Sequence, residues 1–209
     1  DFLLENFKYV FLFSLSFHGL KKQKKINKLY IYENGKLVSE KSLFQIPVPV
    51  ELFFVLLPLR SMLTILEIVL YSFWLKSKYK NLDFYFSVNA FTAWVGTLLK
   101  GMKIVNKTIF WVWDYYPPIH DNKIITIMRQ IYWHFDKISS HSDYVAYVNK
   151  RLIDLRKDIG VLTKDEKFPI IPIGTEKFDI KLGQKKDIVF GFIGVLKQSH
   201  GLDLIFDNA

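Results

Sequence analysis

The chain has 209 residues, half of them hydrophobic and 17% aromatic. That is enough apolar material for one packed domain with a short remainder, and it excludes wholesale disorder. It holds no cysteine, which removes disulfides, thiolate metal sites and cysteine nucleophiles from consideration. A formal net charge of +9 favours anionic partners such as phosphate or an acidic membrane surface, the alternative being lysine that is merely solvated. Nucleic acid is not expected, because the densest basic run, Lys21 to Lys28, lacks the interleaved aromatics that a strand-binding groove uses.

In chain order, Lys8 to Phe17 is apolar enough for a buried strand. The stretch LYIYENGKLVSE sets Asn34-Gly35 between two short apolar runs, a hairpin signal because both residues tolerate positive φ. Val50 to Leu75 is the one membrane-span suspect, but it carries Glu51, Arg60 and Glu67, with Pro58 in its middle. Charges at a bilayer centre cost roughly 2.5–3.5 kcal/mol each. Two helices broken near Pro58 are expected, packed in a core rather than against a membrane surface. Lys76, Lys78 and Lys80 suit the C-terminus of the second.

From there strands and helices alternate. LDFYFSV reads as a strand, and NAFTAWVGTLLKG as a helix that Asn89 can cap and Gly101 can stop. VNKTIFWVW is a strand whose continuous apolar run, Ile109 to Trp113, is of the kind buried on both faces in parallel sheets. NKIITIMRQIYWHF puts Ile124, Ile127, Met128, Ile131 and Phe135 at helical spacing, with His134 packed among aromatics. DYVAYV is a strand and KRLIDLRKDIG a helix ending at Gly160. FPIIPIG and DIVFGFIG are strand-like, and the polar segment Glu176 to Asp187 between them reads as a linker. The alternation predicts an α/β fold with a doubly wound parallel sheet. The chain starts at Asp1 and stops just inside a helix opened by Gly201, so a piece of a longer protein is expected.

Ligands of an open parallel sheet bind beyond the carboxyl ends of its strands. Asp114 directly follows a strand, on a loop stiffened by Pro117 and Pro118. A carboxylate so held can act as a general base, with Tyr115 or Tyr116 stacking on a ligand; alternatively Asp114 caps a turn and the tyrosines are ordinary surface aromatics. Asn89 can meet a ligand or cap its helix, and capping is favoured. Gly174, Thr175 and Glu176 offer a turn with polar groups, or a plain linker. Gly194, Lys197 and His200 form a glycine-bearing loop feeding a helix N-terminus, a natural phosphate site. No GxGxxG, P-loop, GxSxG or zinc-type histidine spacing occurs.

Four motifs in order resemble glycosyltransferases of the GT-B fold, similar to glycosyltransferase family 4: HSDYVAYVNKRLIDLRKDIG, IIPIGTEKFD, VFGFIGVLKQSHGLDLIFD, and WVWDYYPP with IYWHFDKISSHSD. The likeness covers residues 82–209. It implies a Rossmann-like acceptor-side domain over 1–180 and the beginning of a second, nucleotide-sugar-binding Rossmann-like domain over 181–209. It implies transfer of a sugar from a nucleotide-sugar donor to a glycan or lipid-linked acceptor, without a metal or other cofactor, in cell-surface polysaccharide or glycoconjugate synthesis. Asp114 matches the acidic member of the family's His-acidic pair, with Trp113 replacing the histidine. Asn89, Tyr115, Tyr116 and His120 then fall on the acceptor side, and Gly174, Thr175, Glu176, Gly194, Lys197 and His200 on the donor side. Val195 and His200 stand where the family has the Arg and Lys that hold the diphosphate. The implied location is cytoplasmic, with peripheral contact to the inner face of the membrane.

Overall fold

The computed structural model describes residues 2–15, 27–44, 53–162 and 169–172. The chain divides into two units, Asp1–Ile173 and Gly174–Ala209, and every described residue belongs to the first. The expected linker, the domain boundary and the strand DIVFGFIG lie outside the described residues.

A short helix α1 (Phe2–Asn6) leads into β1 (Tyr9–Ser14), β2 (Lys28–Glu33) and β3 (Lys36–Ser42), an antiparallel sheet in that spatial order. The Asn34-Gly35 hairpin forms as its residue types demand, with φ of 48° and 75°. β1 is a strand but only half-buried. It is an edge strand that turns Phe11 and Phe13 onto a core of Leu29, Ile31, Leu43, Ile68 and Leu75 and its other face outward.

α2 (Phe53–Tyr79) is one helix with Pro58 inside it, not two. Proline removes a single ladder bond, here in the second turn, and the long apolar segment beyond it sustains the helix. Lys80 closes it in the left-handed region, φ 65°.

The second sheet consists of β4 (Phe84–Ser87), β5 (Lys107–Val112) and β6 (Tyr144–Tyr147), parallel and in that order. Between them run α3 (Ala90–Gly101) and α4 (Lys123–Ser139), and α5 (Lys150–Asp158) follows β6. The chain then returns beside β6 through a parallel bridge from Ile170 to Tyr147; of the expected strand FPIIPIG, the described residues 169–172 form this bridge. The molecule is therefore mixed α/β with a three-stranded parallel sheet, an arrangement compatible with a Rossmann-like fold.

Three local expectations change. β5 alternates, with Thr108, Phe110 and Val112 buried and Ile109 and Trp111 half-buried. Its second face is an open aromatic surface where Trp111 touches Phe86 and Trp113. α3 passes through Gly101 to a cap at Met102, and the left-handed residue is Lys103, φ 55°; Gly160, φ 72°, does end α5 as expected. α4 turns Tyr132, Phe135, Asp136 and Ser139 inward and leaves Ile124, Ile127, Ile131 and His134 exposed. Two apolar stripes run along that helix, and the one carrying ring contacts from Phe135 to Phe91 and Trp94 on α3 is the one that packs.

Candidate functional site

Three helices start at the carboxyl edge of the parallel sheet, and an asparagine caps each. Asn89 Oδ1 accepts from the Phe91 N–H at 2.9 Å, Asn122 Oδ1 from Ile124 N–H at 2.9 Å, and Asn149 Oδ1 from Leu152 N–H at 3.0 Å. Of Asn89's two readings, this geometry is the cap. The positive ends of three helix dipoles thus lie at the edge that Asp114 follows.

The loop from Trp113 to Asn122 is held to α4 at several points. Trp133 Nε1 donates to the Tyr116 carbonyl at 2.8 Å. Arg129 Nη1 donates to the carbonyls of Pro117 and Ile119 at 2.9 and 3.0 Å. Thr126 Oγ1 donates to the His120 carbonyl at 2.8 Å and accepts from the His120 N–H at 3.0 Å. Tyr115 meets Trp133 edge-on, and Tyr116 meets Tyr132. Prolines alone would stiffen the loop; these contacts also fix where it points.

Within the loop Asp114 is exposed, and its carboxylate lies near enough to Tyr116 to act on that phenol. Partial burial pushes that phenol up, and the neighbouring carboxylate pushes it further, so Tyr116 stays a protonated donor at neutral pH. Tyr115 is half-buried and packs in the same cluster as Ala90, next to Asn89. The Nδ1 of His120 accepts from the Asn122 N–H at 3.0 Å, a contact within the turn that leads into α4. The structure therefore brings Asp114 near Tyr116 and sets Tyr115 against α4, while His120 and Asn89 serve local turns. Gly174, Thr175, Glu176, Gly194, Lys197 and His200 lie outside the described residues.

Beneath this loop lies a polar pair that the sequence reading missed. Asp136 and Arg156 are 2% and 1% exposed and meet at 2.6 Å. Arg156 also donates to Ser140 Oγ at 2.6 Å and lies over the rings of Phe110 and Tyr147. Burial pushes Asp136 up to about 6 against the pull of Arg156, and pushes Tyr147 up to about 12. Tyr132, which touches Tyr116, is also raised, first by burial and then by the charge of Asp136. The signal was readable only in helical phase: Asp136 sits one turn after Tyr132 on the face that packs.

A cleft of about 750 Å³ opens elsewhere, between the C-terminal turns of α3 and α4, with Lys100, Lys137, His134 and His141 on its walls. None of the loop residues lines it. Among the described residues no group of His, Asp or Glu side chains is arranged to hold a metal ion. Comparison of the chain with protein-family models, with curated proteins and with solved structures finds no match.

Proposed function

We propose that this chain is the acceptor-side part of a GT-B glycosyltransferase, similar to family 4, that moves a sugar from a nucleotide-sugar donor to a hydroxyl on a glycan or lipid-linked acceptor. The observation that supports it most is Asp114: an exposed carboxylate on a loop pinned to α4, at the carboxyl edge of a parallel sheet where such folds bind ligands. In this reading Asp114 accepts the proton of the acceptor hydroxyl as its oxygen bonds to the anomeric carbon. The bond from that carbon to the diphosphate breaks, and helix N-termini at the same edge stabilise the departing negative charge. Tyr116 lies beside Asp114, and Tyr115 and His120 border the acceptor. The chemistry needs no metal, and the doubly wound GT-B pairing of two Rossmann-like domains belongs to the same proposal.

The test is Asp114→Asn in the full-length protein, reading release of nucleoside diphosphate from a panel of nucleotide sugars. Transfer should fall by about 100-fold or more with an unchanged melting temperature. Equal rates in a folded variant remove the role of Asp114. Val195 and His200, standing in place of Arg and Lys, favour a second reading: a non-catalytic GT-B-like protein that binds a glycan or nucleotide. A nucleotide sugar that raises the melting temperature without being turned over would select it.

A further inference from the structure

We infer that the outward face of α2 is a docking surface for an anionic lipid bilayer. The helix is apolar outward as well as inward. Its inward positions are Arg60, Thr64, Ile68, Ser72 and Leu75, all buried. Its outward positions are Leu59, Met62, Leu66, Leu70 and Phe73, exposed from 47% at Phe73 to 67% at Met62. These five recur at helical spacing and form one stripe roughly 21 Å long at 1.5 Å per residue. A helix bathed in water places polar side chains outward; here the outward stripe is apolar too, which marks it as an interaction surface.

The end of the stripe identifies the environment. Beyond Phe73 the exposed residues become Ser77, Lys78 and Lys80, beside half-buried Tyr71, Trp74 and Tyr79. The Lys78 ammonium lies 5.4 Å from the centre of the Trp74 ring and 5.3 Å from that of Tyr79. Apolar length followed by a Trp–Tyr–Lys belt is the pattern of a segment that crosses from acyl chains to headgroups. No carboxylate interrupts the stripe: Glu67, the acidic residue of this helix, accepts from the Phe44 N–H at 2.5 Å.

Two rival occupants fit less well. The segment Pro58–Tyr79 is long and apolar enough to cross a membrane, but Ile68 and Leu75 on its inner face are locked in the core with Leu29, Ile31 and Val95. Lipid on all sides would dismantle that core, so the helix docks by one face. A second copy would set a +9 chain against another, whereas anionic headgroups complement that charge. This inference stands independently of the sugar-transfer reading.

The experiment is flotation of the full chain with phosphatidylcholine vesicles, alone or enriched in phosphatidylglycerol. The chain should float with the anionic vesicles. The variant Leu66→Glu/Leu70→Glu should lose this binding at least about tenfold, because it puts charge on the face that enters the bilayer. Lys78→Gln/Lys80→Gln should abolish the preference for phosphatidylglycerol while floating weakly on both; it reads the same surface if the glutamate variant misfolds, as circular dichroism would reveal. Absence of flotation, with light scattering showing a dimer or a monomer, overturns the inference. So does resistance to alkaline carbonate extraction, which would mark a spanning helix.

Discussion

Asp136 and Asp143 lie on either side of the same turn and each meets a cation at 2.6 Å, Arg156 for one and Lys100 for the other. They nevertheless titrate in opposite directions. Asp136 is enclosed between α4, α5 and the sheet, and desolvation outweighs its arginine and lifts it to about 6. For Asp143, burial also pushes upward, but Lys100 together with the N–H and hydroxyl of Thr108 hold it at about 2. A close ion pair is thus no measure of stabilisation; what decides is the number of hydrogen bonds that replace the lost water. One region is an enclosed interior pair, the other a rim clamp joining the starts of β5 and β6.

The comparison breaks most sharply with Arg156→Met. It strands a buried carboxylate and should cost about 3–5 kcal/mol in denaturant unfolding, much of it recovered by the double variant Asp136→Leu/Arg156→Met. If the single variant loses less than about 1 kcal/mol, the interior pair is not as enclosed as its exposure indicates. Gly96→Ala probes the other core, where α3 packs on β4, without charge. A Cβ there would sit 2.5 Å from the Tyr85 ring, and a loss of about 1–3 kcal/mol is expected from overpacking; an unchanged melting temperature would mean the ring shifts freely.

The pH dependence sharpens the contrast. The folded value of Asp136, about 6, lies above its ordinary 3.8, so the folded chain holds that proton more tightly than the unfolded chain. Its contribution is complete below about 3.8 and is lost as pH rises through about 6. Asp143 is the mirror case: its contribution is present above 3.8 and is lost as pH falls toward 2. Carboxyl-carbon NMR titration should resolve one midpoint near each value, and coincident midpoints near 4 would erase the distinction. The smallest effect belongs to Lys107→Ala. Its ammonium is 3.8 Å from Asp143 and half-exposed, so less than about 1 kcal/mol should be lost, and less still at high salt.

Much of the architecture was legible because it rests on local chemistry. The Asn34-Gly35 hairpin, the cap at Asn89, the stop at Gly160 and the α/β alternation each follow from what a few neighbouring residues permit. Asp114 was legible as the first polar residue after an apolar strand. Its proximity to Tyr116, and the grip of Arg129 and Trp133 on its loop, were not. Those contacts join a loop to a helix that follows it, and no spacing rule says which face that helix turns inward.

Sequence by itself determined most of the helices and strands and the turn at Asn34-Gly35, since backbone sterics and hydrogen bonding act over a few residues, but not that α2 continues through Pro58. Only the tertiary structure decided which face of each helix is buried: α4 hides Asp136 and Ser139 while exposing Ile124, Ile127 and Ile131, and α2 hides Arg60 while exposing Leu70. The reason is physical. Periodicity marks apolar stripes but not what covers them, and a stripe goes inward only when another element, distant in sequence, offers matching shape and polar partners.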